Sequence, residues 1–522
     1  MLKSPLLGLL ALALALRLLV HFSSMHADIS IDGAEYCRMA EEIVAHGRIH
    51  GMLPGGANMM PPLQPLLVAG WMQLTGFPAA QAAQWVSILA SVACVCLGFI
   101  CARALAGDLA GFAAGMLFAT APLLLLLGTS EFAEPVQCAF LLAATALLLR
   151  KSSGPSWADA LGAGVLFGLA ALARIESLAL GGLAALYIAA RGDAGFVQRA
   201  CRAAGFLLLM LLQLLPWAWH LQDVTGAWRL EAKSGRVAAT VERVADGMSY
   251  AEANYGVSAE GVAEGPWLRP DLIHTEPEVG LMDAWRARPA LLAAHSGRQL
   301  ARYLWWLASG VALGSLLLLA AMLPALWPVR DARLLYCLAL AMAMFFLASL
   351  YKPVPRYAAP AIVFLDLIAA VGLARIAVAR KHPRVFIAAA ACVLALSSLR
   401  GVPDSWHGLM EGRDASCVKA ARALAARPRH AAEQALWDSS DSIWLCDDAR
   451  LPFHCGARWL PLPAAPTAHA LARYAATTSA RVMAWRTDDS SDARPGPLLD
   501  TAAIPGWRDI DNAPAGWRVL VR

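Results

Sequence analysis

Apolar runs long enough to cross a bilayer alternate with short polar breaks over the first 400 residues, and the pattern then changes. Runs such as "LLLMLLQLLPWAW" and "GSLLLLAAMLPALW" reach, with their flanks, the roughly 20 residues that span a membrane as a helix. The pattern predicts about eleven spans, near 5–22, 80–102, 109–128, 135–149, 158–173, 177–190, 203–221, 302–327, 334–350, 358–379 and 385–399. The fifth and sixth are short and separated by "RIES", so they read as two half-length helices or as one interrupted helix. The segment 222–300 is polar and part helical, as in "RVAATVERVADGMSYAEANYG". The tail alternates a helix-like run, "ASCVKAARALAARP", with strand-like runs, "RVMAWR" and "WRVLVR", which predicts a small α/β domain. The expected fold class is mainly α. A polytopic transmembrane helical domain covers 1–400, with outside loops 23–79 and 222–300, and an extracytoplasmic α/β domain covers 401–522.

Composition strengthens that reading. The 522 residues are 59% hydrophobic and only 16% charged, against about 45–50% and about 25% in soluble domains. The net charge of +5 is mild, and the basic residues sit in short clusters between apolar runs. That distribution sets membrane topology and argues against a nucleic-acid partner. The N-terminal stretch "MLKSPLLGLLALALALRLLVHFSSMHA" mimics a secretory signal, but Arg17 interrupts its apolar core and many spans follow. It is expected to be an uncleaved first span. With the N-terminus cytoplasmic, inner loops hold Arg103, Arg150, Lys151, Arg191, Arg199, Arg202, Arg330, Arg333, Arg380, Lys381 and Arg384. An odd span count then puts the C-terminus outside, in the periplasm.

Outside loops carry the candidate chemistry. In "ADISIDGAEYCRMAEEIVAHGRIHG", residues 27–51, a helix is expected to start at Asp32. Cys37 to Ala40, Ile43 and Val44 form its apolar face and Arg38, Glu41 and Glu42 its wet one, so it would lie on the membrane surface. Asp32 reads either as the helix cap or as a general base or metal ligand at the bilayer edge, and the role of Glu35 stays open. A second outside turn, "TSEFAEPVQCAF", adds Glu131 and Glu134, read as a solvated turn or as acids held at the interface. Basic groups share that side of the membrane: Arg174 in "LARIES", and Lys352, Arg356 and Tyr357 in "YKPVPRYAAP". Lys and Arg are disfavoured there, so either snorkelling and ion pairs such as Arg174–Glu176 or an anionic ligand such as a lipid phosphate must explain them. His220 follows the interfacial Trp217 and Trp219, and reads as an interfacial residue or a metal ligand. His46 and His50 stand at metal spacing, but Gly47 and Gly51 argue that the helix ends there. Cys446 and Cys455 bracket "DDARLPFH", and whether they pair is left open by spacing alone. No P-loop, HExxH, GxSxG or zinc-type CxxC spacing is present.

The order of these pieces forms a pattern. It runs from the first span through "IDGAEYCRMAEEIVAHG", "PPLQPLLVAGWMQLTG", "SEFAEP", "GLAALARIESL" and "LLPWAWHLQD" to "RYAAPAIVFLDLIAAVGL". Over residues 1–400 it resembles the GT-C glycosyltransferases of glycosyltransferase family 39 type, the protein O-mannosyltransferases and lipid A aminoarabinose transferases. The resemblance implies an inverting transferase of the bacterial inner membrane. It would take a sugar from an undecaprenyl or other polyprenyl monophosphate and pass it to a lipid, glycan or protein acceptor on the periplasmic face. It implies Asp32 and Glu134 as catalytic acids, and Lys352, Arg356, Tyr357 and Arg174 as contacts to the donor phosphate. Should Mg or Mn be used, Asp32 and Glu134 would hold it. One departure stands out. Where the aminoarabinose branch has an acid and a lysine before the proline of "PPL", this chain reads "NMMPPLQ", with Met59, Met60 and Pro61. A transporter or flippase of lipid-linked sugars and an O-antigen ligase or polymerase are the alternatives. A transporter would bury charges near the bilayer midplane, whereas here they crowd the outer interface.

Overall fold

The computed structural model describes residues 5–23, 29–52, 60–226, 228–231, 234–264, 268, 285–309, 316–327, 331–350, 354–398, 416–426, 442–448, 450–463, 465, 467–487, 503–510, 513–514 and 517–522. The chain divides into two compact units. One comprises 1–25, 61–219 and 296–411, and the other 26–60, 220–295 and 412–522.

The first unit is helical and apolar. Among the described residues, four helices are long and apolar enough to cross a membrane: Pro5–Ser23, Ala79–Ala106, Ala332–Ser349 and the run Pro355–Ala377. Phe196–Leu212 and Leu215–Thr225 make a fifth if the pair, bent by 42°, is one broken span. Other expected spans are shorter apolar helices, among them Glu134–Leu149, Trp157–Ala173 and Ser177–Ala190. The count of about eleven is thus not reached by length. Proline explains one case. The run expected at 109–128 breaks into Asp108–Thr120 and Pro122–Leu127 because Ala121, before a proline, takes an extended conformation (φ −60°, ψ 119°).

Arg17 closes that break. It lies fully buried in the first helix. Its Nε donates to Ser91 Oγ at 2.6 Å, Nη1 to the Ala13 carbonyl at 3.1 Å and the Ala119 carbonyl at 3.5 Å, and Nη2 to the Phe118 carbonyl at 3.1 Å. The guanidinium therefore satisfies the last carbonyls of Asp108–Thr120, the negative end of that helix. The helix Ala359–Ala377 forms the centre of this unit and is buried along nearly its whole length, as its all-round apolar sequence requires. It touches the helix Leu316–Leu326 backbone to backbone, since a methyl group at Gly372 would overlap the Ala321 carbonyl.

The second unit is built on a five-stranded sheet. Its strands are β1 (Ile443–Cys446), β2 (Arg458–Pro461), β3 (Ala480–Arg486), β4 (Arg508–Asp509) and β5 (Trp517–Val521), in the order β2-β1-β3-β5-β4. β1 runs parallel to β2 and β3, and β5 antiparallel to β3 and β4. Alternation divides its residues between two cores. Leu445, Met483, Trp485 and Leu520 line one face, and Trp444, Val482, Ala484, Val519 and Val521 the other. β3 and β5 are the strand-like runs of the sequence, and "ASCVKAARALAARP" supplies the helix Ser416–Ala426. Cys446 and Cys455 are separate thiols.

The helix Ile31–His46 belongs to this unit and departs from expectation twice. Its cap is Ser30, whose hydroxyl accepts from the Gly33 N–H at 2.9 Å, so Asp32 lies inside the first turn. Nor are Arg38 and Glu42 on a wet face. Arg458 Nη2 pairs with Glu42 Oε1 at 3.1 Å, with both side chains about 85% buried. Arg38 donates to the Phe453 carbonyl at 3.4 Å and lies over the Phe453 ring. Gly33, Ala34, Tyr36, Cys37 and Ala40 are the buried face, and Gly47, in the left-handed region (φ 65°), ends the helix.

Past β1, two adjacent acids meet opposite fates. Asp448 takes Arg450 Nε on both oxygens and Arg486 Nη2 at 3.2 Å. Burial would raise its carboxyl, but these guanidinium groups hold it below the usual range. Among the described residues, Asp447 accepts the Arg486 backbone N–H, at 3.1 Å, and the Cys446 thiol. Burial and the neighbouring Asp448 push it up to about 7.

Candidate functional site

In the first unit, the two acids of "SEFAEP" part company. Glu134 opens the helix Glu134–Leu149 with Pro135 behind it, and its side chain is 1% exposed. Its Oε1 accepts from Arg174 Nη1 at 2.8 Å and lies 3.8 Å from Arg356 Nε. Glu134 Oε2 is buried and has no hydrogen-bond partner among the described residues. One turn on, Gln137 donates to Ser177 Oγ at 3.0 Å. Glu131, also fully buried, turns elsewhere: Gln84 Nε2 donates to its Oε1 at 2.9 Å, and the buried His21 is its electrostatic neighbour. The solvated-turn reading of these acids therefore fails.

Backbone geometry explains how the cations arrive. The helix Trp157–Ala173 stops at Arg174, which is extended (φ −153°, ψ 123°) and followed by a turn into Ser177–Ala190. The "RIES" segment thus separates two helices, and its Arg174 reaches both Glu134 and Glu176, the latter at 2.9 Å. Arg356 and Tyr357 sit on a 3-10 turn, Pro355–Ala358, just before the central helix. The guanidinium of Arg174 lies 4.9 Å from the Tyr357 ring centre, and that of Arg356 lies 5.1 Å from it and 4.2 Å from the Phe132 ring centre. Aromatic faces hold these cations without neutralising them. Val354, which leads into the turn, is fixed by the Tyr303 hydroxyl.

The sequence thus named four side chains that the structure gathers: Glu134, Arg174, Arg356 and Tyr357. Lys352 lies outside the described residues. Asp32, Glu35 and His220 belong to the second unit. There Asp32 is half-buried, Glu35 Oε2 accepts the Met52 N–H at 2.8 Å, and His220 has His50 and Asp223 as electrostatic neighbours. Sequence reasoning missed Tyr303, which in "RYLWW" looks like one more interfacial aromatic, and it missed Gln84 and Gln137, neutral residues without a charge to attract notice.

Two guanidinium groups around one buried carboxylate make a place for an anion. They do not suit a divalent cation at Glu134, because both positive charges would repel it. Among the described residues no group of three or more His, Cys, Asp and Glu side chains is placed to hold a metal.

Residues 59–220 match the family model of the dolichyl-phosphate-mannose-protein mannosyltransferases. No curated protein sequence matches the chain significantly. Among solved structures, ArnT from Cupriavidus metallidurans bound to undecaprenyl phosphate is similar at 15% identity, with a TM-score of 0.56 over 98% of this chain and 98% of that one. The Archaeoglobus fulgidus oligosaccharyltransferase in complex with Zn and sulfate is similar at 12% identity, with a TM-score of 0.59 over 93% of this chain and 68% of that one. The archaeal oligosaccharyltransferase AglB from Archaeoglobus fulgidus, with an inhibitory peptide and a dolichol-phosphate, matches at 12% identity and a TM-score of 0.57 over 93% of this chain and 70% of that one. Helical architecture, apolar spans and the match over 59–220 agree: the chain is a multi-pass membrane protein with the fold of these glycosyltransferases.

Proposed function

We propose that the protein transfers a sugar from a polyprenyl monophosphate, undecaprenyl phosphate in a bacterial inner membrane, to a hydroxyl-bearing lipid, glycan or protein acceptor on the periplasmic face. The observation that carries this reading is the convergence of Arg174 and Arg356 on Glu134 beside the Tyr357 ring. It is supported by the lipid phosphates bound to two proteins of the same fold. The N-terminus is cytoplasmic and the C-terminus periplasmic in this proposal, as the loop charges suggest.

In the reaction, the acceptor oxygen forms a bond to the anomeric carbon while the bond from that carbon to the phosphate oxygen breaks. The electron pair leaves with the phosphate. Arg174 and Arg356, joined by Lys352, stabilise that growing charge, which is the main electrostatic task of such a site. Attack opposite the leaving group inverts the anomeric centre. The acceptor proton passes to a carboxylate, Asp32 or Glu134. Glu35, Glu131 and His220 are assigned no step.

The test is transfer from a synthetic sugar-linked undecaprenyl phosphate by the purified full-length protein. We expect Arg174→Ala and Arg356→Ala each to lower kcat/KM by about 100-fold or more, and Asp32→Asn to lower kcat. Undiminished transfer by Asp32→Asn would remove Asp32 from the mechanism. Failure of the wild type with every polyprenyl-linked sugar would sink the whole reading.

A further inference from the structure

We infer that Glu134 is an internal counterion that stands in for the donor phosphate and becomes the base when the phosphate displaces it. The inference rests on the reading of Arg174 and Arg356 as phosphate contacts. Two guanidinium groups here meet two carboxylates, Glu134 and Glu176. Both guanidinium groups thus face a carboxylate before any ligand arrives, and a phosphate that takes Arg174 competes with Glu134 for it.

The two carboxylates respond differently to that competition. Glu176 is 32% exposed and exchanges its guanidinium for water at little cost. Glu134 is 1% exposed, is held through Oε1 alone, and has no donor on Oε2 among the described residues. A buried carboxylate stripped of its cation is an uncompensated charge held away from solvent, and it accepts a proton released beside it. The proton at hand is the one the acceptor hydroxyl loses as it attacks. Donor binding therefore creates the base, and the departing polyprenyl phosphate takes the proton on a phosphate oxygen as Arg174 reclaims Glu134. The site is inert without donor, and the order of binding is donor first.

Two measurements on the detergent-solubilised full-length protein test this. In the first, undecaprenyl phosphate is titrated into wild type and Glu134→Gln. The variant, freed of the competing carboxylate, should bind about tenfold tighter, and equal or weaker binding overturns the latch. Loss of a negative charge alone also favours an anion, so the second measurement uses the wild type and does not depend on the variant folding. A hydrophobic carbodiimide attacks protonated carboxyls, and its incorporation at Glu134 is read by peptide mass spectrometry with and without undecaprenyl phosphate. Undecaprenyl phosphate is the lipid product, so its complex corresponds to the state after proton transfer; incorporation should rise several-fold with the lipid, and no change or protection overturns the proposal. A wild type that binds no undecaprenyl phosphate fails the donor reading itself. A wild type that binds it without raised labelling fails only the latch.

Discussion

The Tyr303 hydroxyl holds Val354 by both backbone groups, donating to its carbonyl and accepting from its N–H, each at 3.1 Å. Two residues later the chain presents Arg356 and then Tyr357. Tyr303→Phe keeps the ring packing against Trp306 and Phe345 but leaves the Val354 N–H without this acceptor, while its carbonyl keeps the Tyr357 N–H at 3.1 Å, at a cost of about 1–2 kcal/mol. We expect weaker undecaprenyl phosphate binding and a raised KM for the donor at little change in kcat. A fall in thermal stability with unchanged donor affinity would make Tyr303 merely structural.

The buried pair Arg458–Glu42 joins residues 416 positions apart. Removing one partner strands the other, so Glu42→Gln or Arg458→Met should each cost about 2–3 kcal/mol in this partly buried setting. The double variant should recover a good part of that. A double-mutant cycle on thermal unfolding checks this, and strictly additive losses would show that the two residues act independently.

Arg17 makes a comparable prediction inside the apolar unit. Arg17→Met leaves the Phe118 and Ala119 carbonyls without their donor, and we expect a loss of about 2–4 kcal/mol. Ser91→Ala removes only one of the contacts and should cost about 1 kcal/mol. Thermal denaturation in detergent measures both, and a Met variant as stable as wild type would mean that the carbonyls find other partners.

Asp447 gives a pH dependence of definite sign. Its carboxyl stands at about 7 in the folded chain, against about 3.9 unfolded. A raised acid favours the folded state only while protonated. The penalty is absent below about pH 4, grows between pH 4 and 7, and is constant above. Asp447→Asn should therefore raise the melting temperature at pH 8, by on the order of 2 kcal/mol in stability, and change little at pH 4. A larger effect at pH 4 than at pH 8 would contradict the assignment.

Much of this was legible because membranes and strands impose strong periodicities. Length and apolarity announced a helical membrane domain but not its span count, and short strand-like runs announced β3 and β5. Arg174 and Arg356 stood out because the topology expected from the loop charges puts them where cations are disfavoured, and a cation there needs a partner. What stayed illegible depends on partners far along the chain. Glu42 looked wet because nothing local shows that Arg458 will cover it. Arg17 looked like a flaw in a hydrophobic helix because its acceptors are carbonyls some 100 residues away, and carbonyls carry no sequence signature. Ser30 outcompeted Asp32 for the cap because either side chain is suited to it and only the chain path decides.

Gly372 has a mechanical meaning beyond close packing. It sits sixteen residues after Arg356, roughly 24 Å along a helix axis, where two backbones meet without an intervening side chain. A joint of that kind does not slip, since sliding by even one residue would drive a side chain into the Ala321 carbonyl. The central helix therefore works as a depth gauge. The height at which Arg356 and Tyr357 are offered at one end is calibrated by a seat at the other.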